Sequence, residues 1–299
     1  MRTPIHLLAL LALAVASGCG GAGSDTAAGG SITAVATTTQ LGDFARAVGG
    51  RRVTLKQILP PNADPHEYEP RPSDTLAIRD AALVFESGGD LDQWVGELVE
   101  SAGGNVEAVR VFEPGGEDPH WWQDPRNAIR AVANLRDGLI AADPDGKKTY
   151  TTNAAAYTDK LKRLDRSVAA CIEQIAERQR KLVTTHDALG YYADRYGLDV
   201  VGALIPSLSS QAQPSGKDIE ELVQQMERLD VKAIFPENSL NPKLEKAVAR
   251  ETGAKVGTAL YADTLGPEGS AGSTYVGSIE ANTTAIVEGL AGDGASCDF

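Results

Sequence analysis

Basic residues are scarce in this sequence, and its charge balance is acidic. The 28 lysines and arginines stand against 41 aspartates and glutamates, which gives a formal net charge of −13, and no run of basic residues interrupts this balance. A nucleic-acid-binding surface needs basic residues to neutralise phosphates, so we expect no nucleic-acid partner. The apolar fraction of 42% over 299 residues is enough for the cores of two ordinary domains.

A long apolar run is missing at the N-terminus, where the apolar stretch of residues 7–15 is shorter than the roughly 20 residues of a membrane span. It follows Arg2 and ends in Ala16-Ser17-Gly18-Cys19, an order typical of a secretion signal. The end resembles a bacterial lipobox, although Ala16 stands where leucine is more usual. We predict a signal peptide over residues 1–18, lipidation of Cys19 and a flexible, glycine-rich tether over residues 19–30. An ordinary cleaved signal or a frayed apolar terminus is the alternative.

Cysteine is rare, with three residues in the whole chain. If Cys19 carries lipid, Cys171 and Cys297 remain as an even pair in an oxidising compartment, where disulfides persist. One possibility is a disulfide that pins the C-terminal tail, and the other is two buried free thiols. The sequence leaves both open.

From residue 31 onward, short β-branched runs alternate with amphipathic segments, which is typical of parallel α/β domains. The pattern occurs twice, and it predicts an N-terminal α/β lobe over residues 31–143 and a C-terminal α/β lobe over residues 181–299. The predicted strands are residues 32–36, 53–59, 82–86 and 106–112 in the first lobe and 181–185, 200–205, 233–236 and 255–260 in the second. Ser73 is expected to cap the second helix, and Asp124-Pro125 is expected to begin the fourth.

Between the lobes, the region 144–180 has no glycine after Gly146 and no proline after its first residue. Apolar residues recur there at helical spacing, which predicts one long connecting helix from Asp145 to about Arg180. Two helices with an unsignalled break are the alternative. A rigid connector would permit only small movements of one lobe against the other.

Histidine is also scarce, with four residues in the whole chain. With His6 inside the predicted signal, the mature chain keeps three histidines, and each follows a predicted strand: His66, His120 and His186. In open parallel sheets, ligands bind at the carboxyl ends of strands, so three such histidines can converge on one crevice between the lobes. Imidazole suits zinc and related transition metals. The tripeptide Asp-Pro-His occurs twice, and its proline stiffens the loop that presents the ligand.

A fourth ligand is expected from the second lobe. Asp263 follows the strand predicted at residues 255–260, and Glu237 follows the strand at residues 233–236 and competes for the role. The carboxylate that does not bind metal could accept the second ring proton of a ligating histidine. Either carboxylate could instead cap a following helix.

Together these segments resemble the zinc/manganese substrate-binding lipoproteins of bacterial ABC importers, the cluster A-I solute-binding proteins. The resemblance covers residues 31–290 and is carried by residues 64–70, 118–125, 185–191, 235–237 and 260–263. It implies two α/β lobes joined by a long backbone helix, a metal buried between them, and the ligand set His66, His120, His186 and Asp263. It also implies an extracytoplasmic, lipid-anchored monomer that is not an enzyme and that delivers metal to a permease driven by an ATPase.

The third ligand position favours zinc. Relatives that prefer manganese usually carry glutamate where this chain has His186, and three nitrogen ligands suit zinc better than the harder manganese. Many zinc-specific relatives also carry a long histidine-rich loop before the second ligand, but here residues 113–118 are short and contain no histidine. Glu113, Glu117 and Asp118 could still attract cations to the entrance. Two other classes stay open: a secreted zinc hydrolase, and a surface-attachment lipoprotein stapled by metal.

Overall fold

The first half of the chain forms a four-stranded parallel sheet with helices packed around it. The computed structural model describes residues 31–292 and 294–299, so the predicted signal, Cys19 and the tether lie outside the described residues. The strands run in the order β2-β1-β3-β4. They are β1 (Ile32–Ala36), β2 (Val53–Gln57), β3 (Leu83–Glu86) and β4 (Glu107–Arg110), and the helices are α1 (Thr39–Gly49), α2 (Pro72–Arg79), α3 (Trp94–Ser101) and α4 (Pro125–Ala142).

The starts of α4 and α2 test the helix caps that were predicted from local sequence. Asp124 caps α4 by accepting a hydrogen bond from the backbone N–H of Arg126, with Pro125 in the first turn, as the sequence predicts. The prediction that Ser73 caps α2 was wrong. The helix begins at Pro72, and the Asp74 carboxylate accepts from the N–H of Arg71 instead.

The connecting helix is α5 (Lys147–Ile172), and it ends well before the predicted Arg180. After Ile172 the chain leaves the helical path, because Ala176 is extended at ψ 134° and a short 3₁₀ turn follows at Glu177–Gln179. The turn buries Ile175 in the core, and neither glycine nor proline marks it in the sequence. At 1.5 Å per residue, α5 is roughly 39 Å long, and it packs against α1 and α4 on the N-terminal side.

The second half repeats the first. Its strands are β5 (Lys181–His186), β6 (Asp199–Ile205), β7 (Ala233–Ile234) and β8 (Lys255–Val256), and its helices are α6 (Gly190–Tyr196), α7 (Gly216–Leu229), α8 (Lys243–Thr252) and α9 (Tyr275–Ala291). β5 pairs with β6 and β7 pairs with β8, all in parallel. An isolated parallel bridge from Thr184 to Phe235 joins β5 to the residue after β7, so the order β6-β5-β7-β8 matches that of the first sheet.

The two-lobe parallel α/β architecture predicted from the alternating pattern is therefore confirmed. Among the described residues, no helix combines the length and apolar character needed to cross a membrane. The structure also joins Cys171, near the end of α5, to Cys297 in a disulfide with Cα atoms 5.4 Å apart.

Candidate metal centre

His66 lies in the loop after β2, at the start of a tight turn. The Asp64 carboxylate accepts a hydrogen bond from the His66 backbone N–H over 2.9 Å, and Pro65 between them is buried. The second oxygen of Asp64 accepts from the hydroxyl of Ser210, which belongs to the C-terminal lobe. The loop that presents His66 is thus fixed by its own aspartate and by the opposite lobe.

His120, in the segment after β4, is held by the same kind of hydrogen bond. The Asp118 carboxylate accepts from the His120 backbone N–H at 2.9 Å and also lies 2.7 Å from Nδ1 of its ring. An aspartate two residues before a histidine therefore fixes the backbone in both copies of Asp-Pro-His, an Asx-turn contact that sequence reasoning missed. In the second copy it also orients the ring, which leaves Nε2 as the free ligand atom.

His186 is the last residue of β5 and is completely buried. Glu237, which follows β7, accepts from the His186 backbone N–H at 2.9 Å and lies 2.7 Å from its Nδ1. One carboxylate thus anchors both the backbone and the ring of this histidine. Of the two carboxylates proposed for the fourth position, Glu237 takes the orienting contact.

Asp263 completes the cluster. Its carboxylate lies 3.4 Å from His66 Nε2, 3.3 Å from His120 Nε2 and 3.4 Å from His186 Nε2. The Nε2 atoms of His120 and His186 are 3.3 Å apart, and one ligand atom from each of the four residues lies within 4.8 Å of all the others. Such a group could hold one metal ion.

Some ligand atoms of this cluster have unpaired lone pairs, which indicates a cation site. Both carboxylate oxygens of Asp263 and the Nε2 of His66 are buried without a hydrogen-bond partner among the described residues. Buried polar atoms are nearly always hydrogen-bonded, because leaving one unpaired costs on the order of 1–3 kcal/mol. A metal at the centre of the cluster would bind His66 Nε2 and the Asp263 carboxylate together.

The charges in the site favour cation binding. Burial opposes ionisation of Asp263, but His186, His120 and His66 outweigh it and hold the pKa of Asp263 well below its ordinary value. Burial likewise opposes a charge on His120, yet hydrogen bonds to Asp118 and Asp263 raise the pKa of His120 to about 9. The pKa of His186 is also raised, since Asp263 and Glu237 outweigh burial. A cation that binds here therefore competes with protons for these nitrogens.

The entrance lies over His66, the least buried of the four residues. A cavity of about 280 Å³ opens there, lined by Asp90, Glu117, Ser207 and others. Of the three acidic residues that we expected at the entrance, only Glu117 lines this cavity. Glu113 pairs with Arg110, and Asp118 is engaged by His120.

Comparison with known proteins places this chain in one family. Residues 34–289 match the family model described as zinc-uptake complex component A, periplasmic. The manganese-binding lipoprotein MntA of Halalkalibacterium halodurans is 33% identical over 285 residues, covering 92% of this chain and 94% of its own. The iron ABC transporter substrate-binding lipoprotein MtsA of Streptococcus pyogenes is 29% identical, with 97% and 99% covered.

A solved structure supports the same family assignment. The periplasmic zinc-binding protein TroA of Treponema pallidum superposes with a TM-score of 0.80 at 26% identity, covering 87% of this chain and 99% of TroA. With the family model matching most of its length, this chain belongs to the family of zinc-uptake complex component A, the substrate-binding components of metal ABC importers.

Proposed function

We propose that this protein captures zinc outside the cytoplasmic membrane and delivers it to the permease of an ABC importer. The observation that carries the proposal is the cluster of three imidazole nitrogens and one carboxylate, buried between the lobes with unpaired atoms that face one another. The ligands are His66, His120, His186 and Asp263. Glu237 and Asp118 orient two of the imidazole rings from behind.

The ligand set supports zinc over manganese. A tetrahedral ion with bonds of about 2.0–2.1 Å separates its ligand atoms by roughly 3.3–3.4 Å. Four contacts in the cluster are 3.3 or 3.4 Å, they involve both oxygens of Asp263, and the four ligand atoms all lie within 4.8 Å of one another. Manganese prefers a shell richer in oxygen, and this site offers three nitrogens. The names of the relatives differ in metal, since they include manganese, iron and zinc, so the assignment to zinc rests on the ligand set of this chain.

Delivery requires that the protein stay near its permease. We infer that a lipid on Cys19 anchors the chain to the membrane, that residues 19–30 tether the lobes beyond it, and that the lobes (residues 31–143 and 181–299) act as a monomer. The membrane is contacted only through the lipid. The relatives named as lipoproteins of metal transporters support this placement.

The other two classes gain no support from the geometry. A zinc hydrolase needs an open coordination position and a free general base, whereas we assign Asp263 to the fourth position and the oxygens of Glu237 contact His186. A structural staple should be needed for folding, yet the chain has a large apolar core of its own, which includes residues of α1, α4, α5 and α9.

Metal analysis of protein purified without added metal, followed by competition between zinc and manganese, tests the proposal. We expect one zinc per chain and preferential retention of zinc when both metals are present. Asp263→Asn should weaken zinc binding, and the matched control Asp165→Asn, which alters an aspartate paired with Arg195 away from the cluster, should not. A protein that retained manganese in preference to zinc would contradict the metal assignment.

A further inference from the structure

The segment that carries Asp263 changes its hydrogen-bond partners between Tyr261 and Ala262. Up to Tyr261 the chain is bonded to the C-terminal half of the protein: Leu260 N–H donates to Pro236 O, and Asn282 on α9 bonds both backbone groups of Tyr261. From Ala262 to Leu265 its backbone partners come from the N-terminal lobe, and Gln123 of that lobe also donates to the carbonyl of Tyr261 over 3.5 Å. The change of partners from one lobe to the other thus occurs around Tyr261 and Ala262.

Two side chains that follow His120 in the sequence donate hydrogen bonds to the carbonyl of Ala262. Trp122 donates to it from Nε1 over 2.9 Å, and Gln123 donates from Nε2 over 2.7 Å. The next carbonyl, that of Asp263 itself, accepts from Gln40 Nε2 at 3.0 Å. Trp122, Gln123 and Gln40 are all buried, so these bonds are shielded from water.

The far side of Asp263 is fixed in the same way. The N–H of Leu265 donates to the hydroxyl of Thr39 over 2.8 Å, and the carbonyl of Leu265 accepts from the N–H of Asn62 at 3.2 Å. The start of α9 continues the attachment, since Tyr275 donates its hydroxyl proton to Trp122 O over 2.6 Å. Asp263 is therefore flanked on both sides by bonds to the N-terminal lobe, although it follows a strand of the C-terminal lobe.

Resting on the proposed zinc function, we propose that Gln40, Trp122 and Gln123 are positioning residues that hold Asp263 on the N-terminal lobe. His66, His120 and Asp263 then form a three-ligand half-site on one lobe, and His186 with its partner Glu237 is the ligand that the other lobe supplies. Separation of the lobes then takes His186 away from Asp263, and it also breaks the bond from Ser210 to the Asp64 carboxylate beside His66.

A double-mutant cycle tests the positioning role. The variant Gln40→Leu/Gln123→Leu removes two of the donors while keeping volume, and it is compared with wild type and in an Asp263→Ala background. Zinc affinity should fall about tenfold or more in the wild-type background, the usual cost of losing an outer contact to a ligand. In the Asp263→Ala background it should change by less than about twofold, because the ligand being positioned is gone.

A matched control and a spectroscopic readout separate positioning from general damage. Gln174→Leu removes the same kind of bond, from a glutamine amide to the carbonyl of Ser296, beside the disulfide, and should leave affinity unchanged. In cobalt(II)-loaded protein, the absorption of the double variant should shift toward that of Asp263→Ala. Equal loss of affinity in both backgrounds, or wild-type affinity in the double variant, would overturn the proposal.

Hydrogen exchange of the metal-free protein tests the anchor without any metal. The amide of Leu265 should exchange faster in Gln40→Leu/Gln123→Leu and in Thr39→Val, which removes its acceptor. Unchanged exchange in both variants would overturn the positioning proposal whatever the protein binds. Failure of wild-type protein to bind zinc would contradict the proposed function instead, so the two failures are distinguishable.

Discussion

Glu237 offers the sharpest perturbation of the site, because it contacts a ligand without being one. Its Oε1 accepts from the His186 backbone N–H at 2.9 Å, and both of its oxygens lie within 2.9 Å of Nδ1. Glu237→Gln keeps the size of the side chain but removes the charge and replaces one acceptor with a donor. A charged hydrogen bond is roughly twice as strong as a neutral one, and loss of such partners typically weakens metal binding about 10–100-fold.

We therefore expect Glu237→Gln to weaken zinc binding by about 10–100-fold at pH 8, which corresponds to roughly 1.4–2.7 kcal/mol. The loss should shrink at lower pH. Glu237 also contributes to the raised pKa of His186, so removing its charge weakens the competing proton as well as the metal. Competition titration against a chelating dye at pH 8 and pH 6 measures both effects.

Glu245→Gln is the control for this prediction. Glu245 is another buried glutamate of the C-terminal lobe; it accepts a hydrogen bond from the Thr185 hydroxyl and makes no hydrogen bond to a histidine within the part of the chain that the structure describes. The control should bind zinc as wild type does. Wild-type affinity in Glu237→Gln, or an equal loss in Glu245→Gln, would refute the idea that Glu237 acts by orienting His186.

Three further predictions concern the ligands, the protons and the disulfide. His66→Ala, His120→Ala and His186→Ala should each weaken zinc binding at least about tenfold in calorimetry with unchanged circular dichroism, and any variant with full affinity would lose its place in the site. Zinc affinity should rise with pH up to about 9, because zinc must displace the proton from His120 below its raised pKa, and an affinity flat from pH 9 to about 6 would contradict histidine ligation. Cys297→Ser should lower the free energy of unfolding by about 2–4 kcal/mol without changing zinc affinity, and an unchanged denaturant midpoint would count against a stabilising bridge.

The sequence predicted the elements of the fold well because the pattern that specifies them is local. Each of the eight predicted strands overlaps an observed strand, since runs of β-branched residues between turn residues report directly on the sheet. The predicted end of α5, at about Arg180, lies more than one turn beyond the observed end at Ile172. Burial of Ile175 and the attachment of Cys171 to the C-terminal tail decide it, and both are tertiary contacts.

The same distinction explains what the sequence could and could not say about the site. The structure gathers His66, His120, His186 and Asp263 because each lies at or beyond the carboxyl end of a strand, a rule that sequence alone can apply. The aspartate in each Asp-Pro-His motif is a local sequence feature from which the Asx-turn contact could have been predicted. The hydrogen bond from Gln40 to the carbonyl of Asp263 joins residues 223 positions apart, and no local sequence pattern predicts it.

The proposed site holds one ion with three imidazoles and one carboxylate. X-ray absorption at the zinc edge of protein loaded with one zinc per chain measures that coordination directly. We predict a four-coordinate shell of nitrogen and oxygen at about 2.0–2.1 Å with the scattering of three imidazole rings. A six-coordinate, oxygen-rich shell, or fewer than three imidazoles, would contradict the account.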